Sequence, residues 1–159
     1  LKSGQQPSLD SLNRSATEID LQTAALIPET YLPDIHLRLV LYKRIASAEN
    51  KDALKALQIE MIDRFGLFPD AVKTLFAVTA LKQQATHLGV KKIEAHAEGG
   101  RVIFNKTPTI NMDNMLMLIK EQGHVYRFQG AETLRFIRNF KTTDEKIDFI
   151  GELLTHLTE

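Results

Sequence analysis

The sequence predicts an α+β fold in which an N-terminal half of three helices precedes a small, mainly antiparallel sheet and a C-terminal helix. From residue 34 to residue 88, apolar side chains recur with helical spacing in three segments. From residue 90 onward they recur at every second position, which is typical of strands with one buried face. Helices that come first and strands that come later, without regular alternation, favour the α+β class.

The first helix is predicted to begin after Asp34, a favourable N-cap residue that follows a proline, and to end near Ala48. Its apolar residues cover more than one side of the helix, so we expect this helix to be well buried. These residues are Ile35, Leu37, Leu39, Val40, Leu41, Tyr42 and Ile45.

The second and third helices are bounded by strong local signals. Asn50 is predicted to cap the second helix, which ends at Phe65 because Gly66 takes the C′ position. Pro69 is predicted to open the third helix at its first position, where a missing N–H has no cost. The third helix is expected to stop at Gly89.

The second helix has two different sides. One side is apolar and is predicted to face the core; it comprises Leu54, Leu57, Met61 and Phe65. The opposite side carries Asp52, Ile59, Glu60 and Asp63, flanked by Lys55 and Arg64. Glu60 and Arg64 are four residues apart with the acid first, which favours a helical ion pair. From the residues alone, such a charged side is expected simply to meet water. Ile59 within it is a weak indication of a partner, since single exposed apolar residues are common.

Shorter patterns predict the rest of the fold. Gly99-Gly100 is expected to form a two-residue hairpin turn, since glycine tolerates positive φ angles. The last helix is expected to begin with a capping box between Thr142 and Glu145. The other predicted elements are strands at Glu18–Gln22, Val90–Glu98, Arg101–Asn105, His124–Phe128 and Thr133–Ile137, and a helix at Asn111–Gln122.

Length and composition indicate one ordinary globular domain. The chain has 159 residues with 20 basic and 20 acidic side chains, and its formal net charge is +0. We assign residues 18–159 to a single domain and residues 1–17, which are polar and rich in serine, to a linker. Because the chain begins at Leu1 rather than Met, we expect it to be a piece of a longer protein.

The composition argues against several classes of protein. Zero net charge disfavours a general nucleic-acid-binding surface, which normally has a basic excess. The sequence has no cysteine, which excludes disulfides and thiolate metal sites. No apolar run approaches the roughly 18–20 residues that a membrane span needs, and no signal peptide is visible.

We predict no catalytic, cofactor-binding or metal-binding residues, and therefore no enzymatic activity for this chain. Neither a Walker-type loop nor a G-x-G-x-x-G fingerprint is present. His96 and His156 each have glutamates nearby, but neither element supplies a full ligand set. Glu60 and Asp63 could be paired catalytic carboxylates, but Arg64 would hold them ionised, which is wrong for a general acid.

Two basic groups leave alternatives open. Arg38, Lys43 and Arg44 lie on the first helix, and a second group comprises Arg127, Arg135, Arg138 and Lys141. The aromatic residues interleaved with the second group are Tyr126, Phe128 and Phe136. The same alternation is produced by a half-buried sheet with its arginines outside. An accessory nucleic-acid-binding domain is therefore one alternative, and a hydrolase whose site is assembled by folding is another.

Two runs of residues resemble a known family. The run LPDIHLRLVLYKRIA at residues 32–46, followed by EMIDRFGLFPD at residues 60–70, resembles the C-terminal domain of bacterial transcription-repair coupling factors (Mfd, or TRCF). The strand at Glu18–Gln22 also matches, since in that family a similar strand leads out of the translocase module. The resemblance extends from about residue 5 to the last helix, and after residue 90 it concerns pattern more than residue identity.

The resemblance implies a large parent protein in the bacterial cytoplasm. Such proteins are ATP-dependent DNA translocases that displace stalled RNA polymerase and recruit nucleotide excision repair through UvrA. Their motor, with its ATP and Mg sites, would precede this chain, and residues 1–17 would link the two. DNA and RNA polymerase are accordingly expected partners of the parent protein.

For this chain, the resemblance implies a regulatory domain. We expect it to be monomeric, without a cofactor and without a membrane contact. In the family, the domain packs on an N-terminal module that resembles UvrB, hides the UvrA-binding surface and restrains the motor. The contact is polar and uses the helix that ends in the D-R-F-G run, which places Glu60, Asp63 and Arg64 at the interface. Ile59 joins them by its position on the helical wheel.

Overall fold

The α+β class is confirmed by a computed structural model of the chain, which describes residues 17–158. The helices are α1 (Ile35–Ser47), α2 (Lys51–Phe65), α3 (Asp70–His87), α4 (Met112–Glu121) and α5 (Thr143–Thr158). The strands are β1 (Glu18–Asp20), β2 (Val90–His96), β3 (Gly99–Phe104), β4 (Tyr126–Phe128) and β5 (Thr133–Ile137). Of the predicted linker, only Thr17 lies within the described residues.

The described residues fall into two compact units. Thr23–Gln83 form the first, here called the helical unit. Residues 17–22 and 84–158 form the second, here called the sheet unit. The assignment of residues 18–159 to a single domain stays a prediction. No helix within residues 17–158 has both the length and the apolar content that crossing a membrane requires.

Local capping explains the bounds of α1 and α2. The Asp34 side chain accepts hydrogen bonds from the backbone N–H groups of His36 and Leu37, at 2.9 and 3.3 Å. Asn50 accepts from the N–H of Ala53 at 2.8 Å, and Gly66 ends α2 with a φ of +97°. These caps satisfy backbone groups that have no partner inside the helix. Both predicted caps and the predicted glycine stop are confirmed.

The core of the helical unit is built from one side of each helix. Its buried residues are Ile27, Leu32, Leu41, Ile45, Leu54, Leu57, Met61, Val72 and Phe76. The expectation that α1 is well buried is wrong, because Ile35, Leu39 and Val40 are each more than half exposed. Only the side of α1 that carries Leu41 and Ile45 packs into the core.

The sheet unit contains one five-stranded sheet in the order β1-β2-β3-β5-β4. β1 runs parallel to β2, and every other pair of neighbours is antiparallel. The inner face of the sheet presents the fully buried Ile93, Val102 and Phe136. The Phe136 ring lies 4.9 Å from that of Phe149 on α5, so the helix and the sheet share an aromatic core.

The prediction that Gly99-Gly100 forms the hairpin turn is wrong. His96 pairs with Gly99, so the turn is Ala97-Glu98 and both glycines belong to β3. A Cβ atom at Gly100 would collide with the backbone oxygen of Glu94 and lie 2.7 Å from the Phe136 ring. The glycines are therefore required by close packing against Phe136 rather than by the turn.

Side-chain hydrogen bonds, as well as the backbone pairing with β2, hold β1 in the sheet unit. The Thr17 hydroxyl donates to the carbonyl oxygen of Val90 at 2.6 Å and is buried. The buried Lys146 ammonium on α5 donates to the carbonyl oxygen of Leu21 at 2.8 Å. Neither of these buried polar groups was predicted from the sequence. Together they hold the segment on both sides of β1.

Two helix starts differ slightly from the prediction. Pro69 precedes α3 rather than occupying its first position, since the helix begins at Asp70. At α5, the Thr142 hydroxyl accepts from the N–H of Glu145 at 3.1 Å, as a capping box requires. The Glu145 carboxylate, however, accepts from the N–H of Lys141 rather than from that of Thr142.

We expect Met61→Ala and Leu57→Ala each to lower the free energy of unfolding by about 2–5 kcal/mol, because each leaves a cavity in the core of the helical unit. The matched control is Ile59→Ala on the same helix, whose side chain is exposed and whose loss should cost about 0.5 kcal/mol or less. Urea denaturation measures all three variants. Equal stability of all three would show that the inner side of α2 is assigned incorrectly.

Candidate docking surface

The four residues proposed as a partner-binding site lie together on the exposed side of α2. Ile59 is 54% exposed, and the side chains of Glu60 and Arg64 are 38% and 50% exposed. Asp63 is exposed and makes no ion pair with any other residue between 17 and 158. The predicted orientation of α2 is therefore confirmed, while the binding role of the four residues stays a prediction.

Glu60 is held by arginines from two helices. Arg44 on α1 donates from both terminal nitrogens, Nη1 to Oε2 at 2.7 Å and Nη2 to Oε1 at 2.8 Å. Arg64 on α2 donates from Nη1 to the same Oε2 at 3.3 Å. A bidentate arginine–carboxylate contact fixes orientation as well as distance. We call Arg44, Glu60 and Arg64 the charged cluster.

The charged cluster favours the ionised form of Glu60. The hydrogen bond from Arg44 and its positive charge, helped by Arg64, lower the pKa of Glu60 from 4.5 to about 2. The same hydrogen bond raises the pKa of Arg44. Two positive groups and one negative group remain, so the cluster carries a net positive charge at its surface.

Arg64 has a second contact that restricts its movement. Its guanidinium carbon lies 4.7 Å from the centre of the Phe65 ring, within the range of a cation–π interaction. The Phe65 ring itself meets Tyr31 edge-on, with ring centres 6.4 Å apart. Aromatic residues of the helical unit therefore pack against Arg64 on the charged side of α2.

The sequence prediction missed the role of Arg44, which it placed in a basic group with Arg38 and Lys43. Three residues separate the end of α1 from the start of α2, and such a short link makes the helices antiparallel neighbours. From this geometry, the contact between Arg44 and Glu60 could have been predicted. Arg38 also has partners within the helical unit, because its guanidinium donates to the carbonyl oxygens of Leu32 and Pro33.

The second basic group is divided by the fold. Arg127 and Arg135 face each other on β4 and β5. Arg138 instead lies 5.2 Å over the ring of Phe149, and Lys141 lies just before α5. Of the interleaved aromatic residues, Tyr126 and Phe136 are buried and Phe128 is 39% exposed. The alternation thus reflects a half-buried sheet with its arginines outside, which was the structural explanation given for this pattern.

The histidines do not assemble a metal site within residues 17–158, where no group of three or more His, Asp or Glu could hold a metal ion. A cavity of about 260 Å³ in the sheet unit is lined by His96, Glu98 and Arg135. His96 uses Nδ1 to accept the N–H of Glu98 at 3.2 Å. The residues lining this cavity include no serine, threonine or cysteine, so it lacks a hydroxyl or thiol nucleophile.

The fold and the charged cluster together define an α+β domain with a polar helix surface that carries paired charges. The chain belongs to the TRCF domain family, whose sequence model matches residues 21–115. The resemblance seen in the two sequence runs is thereby confirmed.

Relatives and a solved structure agree with this membership. The transcription-repair-coupling factor of Escherichia coli is 36% identical over 159 residues, which cover 100% of this chain and 14% of that protein. That of Haemophilus influenzae is 40% identical over 154 residues, covering 97% of this chain and 13% of that protein. The chain therefore spans a small part of the length of these relatives.

The structural match covers both chains almost completely. A crystal structure of the C-terminal domain of transcription-repair coupling factor matches with a TM-score of 0.72 and 26% sequence identity. The match covers 88% of this chain and 92% of that chain. The chain is accordingly a C-terminal domain of the transcription-repair coupling factor type.

Glu60 should make the stability of the chain depend on pH. Its folded pKa of about 2 is below its ordinary value, so the unfolded state binds more protons between these two values. The stabilisation is fully present above about pH 5 and is lost as the pH falls through 4.5 toward 2. Glu60→Gln should remove this contribution, so its free energy of unfolding should fall less between pH 5 and pH 3.

The same ion pair can be measured directly by NMR titration of the Glu60 carboxyl carbon. Arg44→Met should raise the pKa of Glu60 more than Arg64→Met does, because Arg44 supplies two hydrogen bonds and Arg64 supplies one longer bond. Equal effects of the two variants would contradict the dominant role of Arg44.

Proposed function

We propose that the chain is a non-catalytic regulatory domain of a transcription-repair coupling factor. In this proposal it docks on the UvrB-like N-terminal module of the same protein, hides the UvrA-binding surface and restrains the ATP-dependent motor. The docking residues are Glu60, Asp63 and Arg64, with Ile59 beside them. The proposal rests above all on the charged cluster, a fixed set of charges on an exposed helix.

The rigidity of the charged cluster supports a role in recognition. A free arginine or glutamate side chain loses conformational entropy when a partner immobilises it. Glu60 and Arg64 are already restrained, Glu60 by Arg44 and Arg64 by Glu60 and Phe65. Much of the side-chain entropy that docking would cost is therefore already lost when the domain folds. The side chains are also held in a defined orientation before the partner binds.

The chemistry of the surface suits a contact that must open. Charged groups at an interface favour a defined register and fast association more than very high affinity. Ile59 adds a single exposed apolar side chain among these charges. A large apolar interface would bind more permanently, which a regulatory contact has to avoid.

Asp63 gives the surface a free acceptor. Within residues 17–158 it is one turn from Ile59 and makes no ion pair, unlike Glu60. Its carboxylate can therefore accept from a cationic side chain of the partner without breaking a contact of its own. Arg64 can donate to a partner carboxylate from nitrogens that Glu60 does not use. The surface thus offers both signs of charge.

The decisive variant is Arg64→Glu in the full-length protein. It places a second negative charge beside Glu60 and reverses the charge offered to the partner, so intramolecular docking should weaken by about tenfold or more, equivalent to ~1.4 kcal/mol. Weaker docking should expose the UvrA-binding surface. Binding of UvrA by the variant, measured by surface plasmon resonance, should accordingly be tighter than that of the unaltered protein.

The matched control is Lys73→Glu, which makes the same change of charge at an exposed position of α3. It should leave UvrA binding unaltered, and both variants should keep the melting temperature within a few degrees because neither side chain is buried. Unaltered UvrA binding by a folded Arg64→Glu protein would refute the docking proposal.

A further inference from the structure

The first helix, α1, turns apolar side chains outward as well as inward. Leu41 and Ile45 lie in the core of the helical unit. Ile35, Leu39 and Val40, by contrast, are 57%, 53% and 52% exposed. Single exposed apolar residues are common, but three of them within six positions of one helix are more than scattered exposure. The packing of the helical unit does not require these three side chains, since the other side of α1 supplies its core contacts.

Helix geometry places the three exposed residues on one side of α1. Viewed along the helix axis, Ile35, Leu39 and Val40 fall within an arc of about 140°. His36 and Lys43 lie inside the same arc, and both are exposed. We call these five residues the α1 face.

The α1 face adjoins the charged cluster. Val40 is one helical turn before Arg44, so these two side chains are neighbours on the surface of α1. Arg44 in turn donates two hydrogen bonds to Glu60 of α2. The exposed surface therefore continues from the apolar side chains of α1, across the paired charges, to Arg64 and Asp63 on α2.

The free charge on the α1 face is positive. Lys43 is exposed and makes no ion pair with any other residue between 17 and 158. There is no Asp or Glu within α1, and the neighbouring Arg44 is already paired with Glu60. An apolar surface with one free ammonium group is complementary to an apolar surface that carries a carboxylate.

We propose that the α1 face is the apolar half of the docking surface and is covered by the same module that contacts the charged cluster. This inference rests on the proposed function. The module presents apolar side chains to Leu39 and Val40 and a carboxylate to Lys43. In this arrangement the charges on α2 set the register of the contact, and burial of the α1 face supplies affinity.

The size of the α1 face suits a contact that opens. Three side chains that are about half exposed offer a small apolar area, far below that of a permanent interface. The chain covers only 14% of the Escherichia coli relative, and in the proposal the docking module belongs to the same polypeptide. Such a tether raises the effective concentration of the two surfaces, so that a weak contact is sufficient to hold them together.

The composition of the α1 face favours a protein over a nucleic acid or a membrane. It contains no Phe, Tyr or Trp on which a base stacks. Nucleic acids and anionic membranes attract clusters of several Lys and Arg side chains, whereas Lys43 is the only lysine or arginine of the α1 face. Aliphatic side chains are instead covered by the apolar side chains of another protein surface.

The test variant is Leu39→Gln with Val40→Gln in the full-length protein, here called the Gln variant. Both positions are exposed, so its melting temperature should stay within a few degrees. The exposed halves of two aliphatic side chains are together equivalent to about one fully buried side chain, so docking should weaken by about tenfold or more. UvrA should therefore bind the Gln variant more tightly than the unaltered protein, as measured by surface plasmon resonance.

Two controls accompany the Gln variant. Leu116→Gln with Met117→Gln makes the same kind of change at two consecutive exposed residues of α4, and should leave UvrA binding unaltered. Leu39→Met with Val40→Ile keeps the α1 face apolar, and should also bind UvrA as the unaltered protein does. Equal effects of this conservative variant and the Gln variant would overturn the apolar role of the α1 face.

The Arg64→Glu variant, measured alongside, separates this inference from the docking proposal. Tighter UvrA binding by Arg64→Glu but not by the Gln variant would overturn the inference and leave the docking proposal standing. Tighter binding by the Gln variant alone would support the α1 face and overturn the role of Arg64. No change in either variant would overturn both.

A second copy of the chain is the competing occupant of the α1 face. Light scattering of this chain over a range of concentrations measures its mass in solution. A monomer is expected, since in the proposal the face is covered by a different module. A dimer that the two Gln substitutions abolish would assign the α1 face to self-association and overturn the inference.

Discussion

Two nitrogen atoms of Arg44 reach from α1 to both carboxylate oxygens of Glu60 on α2, and the charged surface of the helical unit depends on this contact. It couples two helices, lowers the pKa of Glu60 and leaves Arg64 beside a carboxylate that stays ionised to a lower pH than an ordinary glutamate. Because the pair is partly exposed, its direct contribution to stability is small. Its larger effect is on geometry, since it orients Glu60, which in turn bonds Arg64, two of the residues in the docking proposal.

In both units, some charged side chains pair with one another and a local excess of positive charge remains. In the helical unit, two arginines share one glutamate. In the sheet unit, Glu18, Lys92, Glu94 and Arg101 satisfy one another, while Arg127 and Arg135 do not take part. A formal net charge of +0 therefore conceals two positively charged surfaces, and the composition alone could not have located either one.

Local signals predicted the parts of the fold that local interactions determine. The cap at Asn50, the stop at Gly66 and the two sides of α2 depend on residues within a few positions of each other, so the sequence was sufficient. The Arg44–Glu60 pair depends on helix packing, and the pairing of Arg127 with Arg135 depends on strand register; periodicity specifies neither. The exposure of Leu39 likewise depends on which elements pack against α1. The role of Gly100 was misassigned because its contact with Phe136 is distant in sequence.

The two glycines of β3 also limit how this domain can diverge in sequence. A side chain at position 100 would push against the Phe136 ring, which in turn lies against Phe149 of α5. A single added methyl group at one strand would therefore be transmitted through the aromatic core to a helix that follows more than forty residues later. Any lineage that replaced this glycine would have to move the backbone of β2 at Glu94 as well as the Phe136 ring.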